Sequence, residues 1–243
     1  MISLSDKYVI YDKIIIFGNE YNLSFEEIID TIEEHKINKL LFIDSFDSTN
    51  IVDCWNEYLT KPAGYCYWFD KPLTKLPDRI THLIFSYNSN FNHSIDSEIV
   101  SGLKYLIFGD FFNKQVDNLP SNLIMLIFGC GFNYSIDNLP IKLKLLCLGN
   151  EFNQPINNLP NSITYLIFGY NFNNSINNLP NSIINVQFCS EGIFDHNLDN
   201  LPESLEYLVL PIKYTKSIQN IPQYLQTIIS GPKRLEHIRD VHF

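Results

Sequence analysis

Apolar residues recur along most of this chain in one fixed order. A Phe is followed four positions later by Ile or Val, then by a Leu-Pro pair, then by Leu-x-x-Leu-x-Phe and a Gly. From Phe112 the chain reads FNKQVDNLPSNLIMLIFGCG, and from Phe132 FNYSIDNLPIKLKLLCLGNE. From Phe152 it reads FNQPINNLPNSITYLIFGYN, and from Phe172 FNNSINNLPNSIINVQFCSEGI. Phe112, Phe132, Phe152 and Phe172 recur at one constant spacing, and Phe91 before them and Phe194 after them fall one and two positions outside it. The leading Phe is lost from the last copy, but Ser217-Ile218, Ile221-Pro222, Leu225 and Ile228 keep the frame. Upstream, Leu76-Pro77 with Ile80, Leu83, Ile84 and Phe85 forms a first half-copy. Self-similarity at a fixed short period is the mark of a repeat array, here placed over residues 72–231.

Each copy predicts one strand and one return path. Leu123-x-x-Leu126-Ile127-Phe128 is rich in residues that favour extended backbone. Alternation sends Leu126 and Phe128 to one face and Met125 and Ile127 to the other. Gly109, Gly129, Gly149 and Gly169 follow the strands, where a turn of positive φ would place them. The proline of each Leu-Pro pair lacks an amide donor and holds its predecessor extended, so it belongs on the return. So short a period leaves little room for an α-helix. The expected fold is a β-rich solenoid of stacked strand-turn units with extended or 3-10 returns. Phe132, Ile136, Leu139, Leu143, Leu146 and Leu148 are assigned to one inward layer, repeated above and below. Asn113, Asn133, Asn153 and Asn173 form a column expected to bond turn backbones that the return leaves unpaired.

The N-terminal residues 1–71 read differently, as a capping region of β-α-β character that is diverged from the repeats. Tyr8–Phe17 (YVIYDKIIIF) predicts a strand, Ser24 caps a predicted amphipathic helix over Phe25–His35, and Lys39–Ile43 predicts a second strand. Residues 51–60 predict a further helix. Residues 232–243 are expected to form a C-terminal cap over the open apolar end.

Composition agrees with strands and turns. The 243 residues include 18 Phe and 14 Tyr, and Ala63 is the only alanine. With 17 Lys+Arg against 27 Asp+Glu the formal net charge is −10, which argues against a general nucleic-acid or anionic-membrane binder. No secretory signal pattern and no apolar run of membrane-spanning length occurs, so the expectation is a cytoplasmic chain with its five cysteines reduced.

A search for chemistry yields little. The six histidines are dispersed, with no i, i+4 pair and no combined Cys/His ligand spacing. Phosphate-binding glycine loops and the Gly-x-Ser-x-Gly elbow are absent from the sequence, and neither metal nor cofactor is expected. The outward strand positions are more informative. One row reads His82, Tyr105, Met125, Leu145, Tyr165, Asn185 and Tyr207. The other reads Ile84, Ile107, Ile127, Cys147, Ile167, Gln187 and Val209. A solvated sheet face would alternate toward polar residues. An aliphatic stripe rimmed by tyrosines instead predicts a protein-binding face, with Tyr105, Ile107, Met125, Ile127, Leu145, Tyr165, Ile167 and Tyr207 as its contact residues.

These Phe-Asn-x-x-Ile and Leu-Pro-x-x-Leu-x-x-Leu-x-Phe units resemble the FNIP repeat family, and their strand portion looks like a short leucine-rich repeat. The resemblance covers about two-thirds of the chain. It implies a curved or twisted leucine-rich-repeat-like solenoid, known from amoebae and the giant viruses that infect them, hence host cytoplasm for a viral chain. Similar proteins often carry an N-terminal F-box and serve cullin-type ubiquitin ligases. The N-terminal region of this chain lacks the helical, Leu-Pro-initiated F-box pattern. The reading is thus a non-enzymatic scaffold for an unknown protein partner. Its rivals are a ubiquitin-ligase adaptor, a virion structural component, and an enzyme with a pocket around Cys54, Trp55, Cys66 and Trp68.

Overall fold

The structure is a computed structural model that describes residues 2–5, 8–18, 25–42 and 69–230. Its twelve strands lie in a single sheet in chain order: β1 (Ile2–Ser5), β2 (Tyr8–Tyr11), β3 (Ile14–Phe17), β4 (Lys39–Phe42), β5 (His82–Phe85) and β6 (Tyr105–Ile107), then β7 (Met125–Ile127), β8 (Leu145–Cys147), β9 (Tyr165–Phe168), β10 (Asn185–Phe188), β11 (Tyr207–Leu210) and β12 (Thr227–Ser230). The pairs β1–β2 and β2–β3 are antiparallel, and every later pair is parallel. The parallel strands stack in register, so Leu106, Leu126, Leu146 and Leu166 lie in one row and Ile107, Ile127, Cys147 and Ile167 in another. A strand that recurs once per repeat and pairs only with its sequence neighbours is one coil of a solenoid.

The whole predicted inward layer is buried: Phe132, Leu143 and Leu146 are fully inaccessible, with Ile136, Leu139 and Leu148 beside them in one continuous core. Two columns of rings interleave along its axis. Phe108 and Phe128 directly follow β6 and β7, Phe168 and Phe188 end β9 and β10, and the leading Phe112, Phe132, Phe172 and Phe194 lie flat against them at centroid distances of 3.6, 3.7, 4.0 and 4.1 Å. Successive leading rings stack at 6.1 to 6.4 Å. Burial of each ring removes a large apolar surface from water, worth about 1.5–3 kcal/mol apiece.

The asparagine column is a ladder. The side-chain oxygen of Asn113 accepts the amide of Asn133 at 3.1 Å, Asn133 accepts that of Asn153 and Asn153 that of Asn173, both at 2.9 Å. The ladder extends beyond the asparagines. Asp70 accepts the amide of Asn92, Asn92 that of Asn113, Asn173 that of Asp195, and Asp195 that of Thr215. These outer rungs complete the first and last copies, whose leading residues the sequence pattern does not show. Phe69 is buried and stacks 6.0 Å from Phe91, so Phe69-Asp70 opens the first coil. Tyr214 stacks 6.1 Å from Phe194, so the last copy keeps an aromatic ring in place of its leading Phe.

On the return, each Leu-Pro begins a tight turn. The carbonyls of Pro120, Pro140, Pro160, Pro180, Pro202 and Pro222 each accept the amide three residues on, at 3.0 to 3.2 Å. The return is extended with turns, and among the described residues no 3-10 helix occurs in it. The hydroxyls of Ser162, Ser182 and Ser204 donate to carbonyls of the preceding coil at 2.6 to 2.7 Å.

Three local expectations are corrected. Tyr8–Phe17 is a hairpin rather than one strand, because Asp12-Lys13 turn the chain with Asp12 at φ 52°. The helix predicted over 25–35 is a 3-10 turn (Phe25–Glu27) followed by α1 (Ile29–Glu34). The strand-end glycines have no positive φ. A Cβ on Gly149 would overlap the carbonyl oxygen of Gly129, and one on Gly129 would meet the Gly109 carbonyl group, so close approach of successive coils excludes a side chain there. Arg79 joins the N-terminal part to the array: it donates to the carbonyls of Ile32 and Ile37 and pairs with Glu33 at 2.8 Å. Ser24, residues 51–60 and residues 232–243 lie outside the described residues.

Candidate interaction face

The side chains of β5 to β11 that point away from the main core form the two predicted rows. Their aliphatic members condense into a second apolar cluster of Leu41, Ile84, Ile107, Met125, Ile127 and Leu145, flanked by Ile14, Tyr105, Cys147 and Tyr165. The stripe is therefore not open as expected. Ile107 and Met125 are 4% exposed, Ile127 2% and Leu145 1%. In-register parallel stacking explains this. Each side chain has its counterpart on the next coil about 4.8 Å away, and like shapes cover one another.

Accessibility is uneven along the rows and greatest on β9 and β11. Cys147, Tyr165, Ile167 and Val209 are half-buried, and Tyr207 is 39% exposed. Tyr105 is half-buried nearer the N-terminal end, where its ring stacks on His82 at 4.3 Å. Of the eight residues assigned to binding, Tyr105, Tyr165, Ile167 and Tyr207 present surface, whereas Ile107, Met125, Ile127 and Leu145 hold the face together.

Two polar insertions interrupt the rows. His82 is buried beside Lys39 and Lys104, and burial with those two ammonium groups lowers its pKa to about 4. Its Nδ1 lies 2.7 Å from the Thr81 hydroxyl. Asn185 and Gln187 are both 8% exposed on β10, in register with Tyr165 and Ile167 on one side and Tyr207 and Val209 on the other.

Neither Cys130 nor Cys147 is held as a thiolate. The Cys130 thiol is pushed up to about 11 by burial and by Asp110, and burial pushes Cys147 up to about 12. A thiol held protonated is a poor nucleophile. No group of three His, Cys, Asp or Glu side chains suited to a metal lies together among the described residues. A shallow cleft lined by Lys13, Glu33, Lys36, Asn38 and Arg79 sits beside α1, with its guanidinium already engaged. The residues of the alternative pocket, Cys54, Trp55, Cys66 and Trp68, lie outside the described residues.

The FNIP Repeat family matches residues 91–131 and 152–190, which carry the Phe stack and most of the asparagine ladder. The chain is thus an FNIP- and leucine-rich-repeat-like repeat protein. Among solved structures, the giant-virus protein CroV588, described as a novel circular LRR protein structure, is similar to it. The TM-score is 0.64 at 25% identity, over 92% of this chain and 34% of that one, so the chain spans about a third of that protein's length. The FNIP coils thus have a leucine-rich-repeat-like fold. A search of curated proteins finds no match. Among the described residues of this FNIP-repeat protein, no helix is long and apolar enough to cross a membrane.

Proposed function

We propose that this FNIP-repeat protein is a non-enzymatic scaffold that binds a partner protein through the C-terminal half of its strand face. The reading rests on accessibility along that face: Ile84, Ile107, Met125, Ile127 and Leu145 are sealed, whereas Tyr165, Ile167, Tyr207 and Val209 are accessible on β9 and β11, either side of the buried Asn185 and Gln187 of β10. Large amphipathic rings on a rigid sheet supply contact area at low entropic cost, which suits them as binding anchors. Repeat solenoids of this fold commonly serve as interaction scaffolds, and the raised thiol pKa values of Cys130 and Cys147 agree with a non-catalytic role.

The test compares affinity capture by the natural chain and by the double variant Ile167→Asp, Tyr207→Asp from cells that express it, with mass spectrometry. A control variant, Asn161→Asp, changes an exposed residue on the return path. A partner retained by the control and lost from the double variant, with circular dichroism unchanged, is the expected result. A partner held equally by all three chains places binding elsewhere.

A further inference from the structure

In each complete coil the inward positions are covered on both sides. In the coil that ends in β11, Leu198, Leu205 and Leu208 are fully buried and Leu201 is 6% exposed. The matching positions of the last coil are Ile218, Ile221, Leu225 and Ile228. Ile221 is 60% and Ile228 44% exposed, Ile218 and Leu225 are half-buried, and the neighbouring Tyr224 is 62% exposed. Beside this apolar end, β12 pairs only with β11, so its outer edge has no strand partner among the described residues. An open edge flanked by apolar side chains is a template for another strand.

The opposite end has a matching edge. Among the described residues β1 pairs only with β2, and two antiparallel steps return β1 to the direction of β3 and all later strands. The β1 of another chain can therefore meet β12 in parallel, with the sheet continuing in the same sense. Head-to-tail contacts of this kind run on as filaments unless the rotation per copy closes a ring. The likeness to a circular structure points to closure. The chain superposes on about 34% of a protein whose structure is described as circular, so three chains of this length make up about the length of that one.

We infer that the exposed end formed by Ile221, Tyr224, Leu225 and Ile228 docks the β1 edge of a second copy of this chain, and that three copies close head to tail into a ring. The inference is independent of the partner proposed for the strand face. Light scattering on the purified full chain, with negative-stain micrographs, tests it. A particle of about three 28.3 kDa chains with an annular outline is expected. The double variant Ile221→Lys, Tyr224→Lys charges only exposed return-path positions and should run as a folded monomer with unchanged circular dichroism. A full-length monomer at every concentration overturns the inference and leaves the end to residues 231–243. A dimer overturns it in favour of two like ends meeting, and a trimer that survives the double variant overturns the assignment of the surface.

Discussion

Asn133 shows how much a single amide does in this molecule. Its oxygen accepts both the Asn153 backbone amide at 2.9 Å and the Gln154 side chain at 3.1 Å, while its own amide is held by Asn113. Asn133→Ala removes the acceptor and should lower stability by about 1 kcal/mol in urea unfolding, whereas Asn133→Asp keeps an acceptor and should lose less. The column is legible in the sequence because asparagine follows the leading Phe of each copy from Phe91 to Phe172. Its Asp70, Asp195 and Thr215 rungs are not, because the ladder asks only for an acceptor on one coil and an amide on the next. The glycines teach a different lesson, since spacing locates them but misassigns their reason. Gly149→Ala forces two coils apart at the Gly129 carbonyl and should cost on the order of 3 kcal/mol by thermal unfolding, although its φ suits alanine. His82 carries a pH dependence. Its folded pKa of about 4 lies below the ordinary 6.5, so the unfolded chain binds the extra proton between those values. Stability should therefore fall by about 3 kcal/mol as pH drops through that window. Comparison with His82→Phe in the same buffers isolates this contribution from the carboxylates, and a histidine NMR titration reads the pKa directly.

At the level of the strand, alternation correctly separates Leu126 and Phe128 from Met125 and Ile127. What alternation does not carry is how tightly equal side chains on adjacent coils close over one another, and so Ile127 reads as open surface when it is sealed. The two ends of the row therefore respond differently to the same change. Ile127→Asp buries an unpaired carboxylate and should destabilise the fold by about 3 kcal/mol or more, seen as a lower urea midpoint. Ile167→Asp, at a half-buried position, should shift that midpoint far less. The hairpin of β2 and β3 escapes a reading of the sequence because YVIYDKIIIF keeps its apolar run through Asp12-Lys13, and only the positive φ of Asp12 reveals the reversal. Register, by contrast, is implicit in the period. Identical units can satisfy a layered core only when Phe108 falls beside Phe128.

For the molecule as a whole, the short constant period and the near absence of alanine already require a stacked β architecture. The closed strand face and the uncovered last coil are not in the period, since both depend on how coils sit on one another. Most inter-coil bonds described above, the ladder, the serine contacts and the strand pairs, join each coil to the one before it. A tether pulling the ends of the chain apart therefore loads one junction at a time instead of shearing the whole sheet. Under such a load the protein should peel coil by coil, each event releasing about 20 residues, on the order of 70 Å of contour. Force spectroscopy would record a regular sawtooth, and Asn133→Ala should lower the peaks for the coils it joins. The asparagine column is in this sense a row of identical fasteners, and it makes the solenoid a graded spring whose unit of extension is the repeat itself.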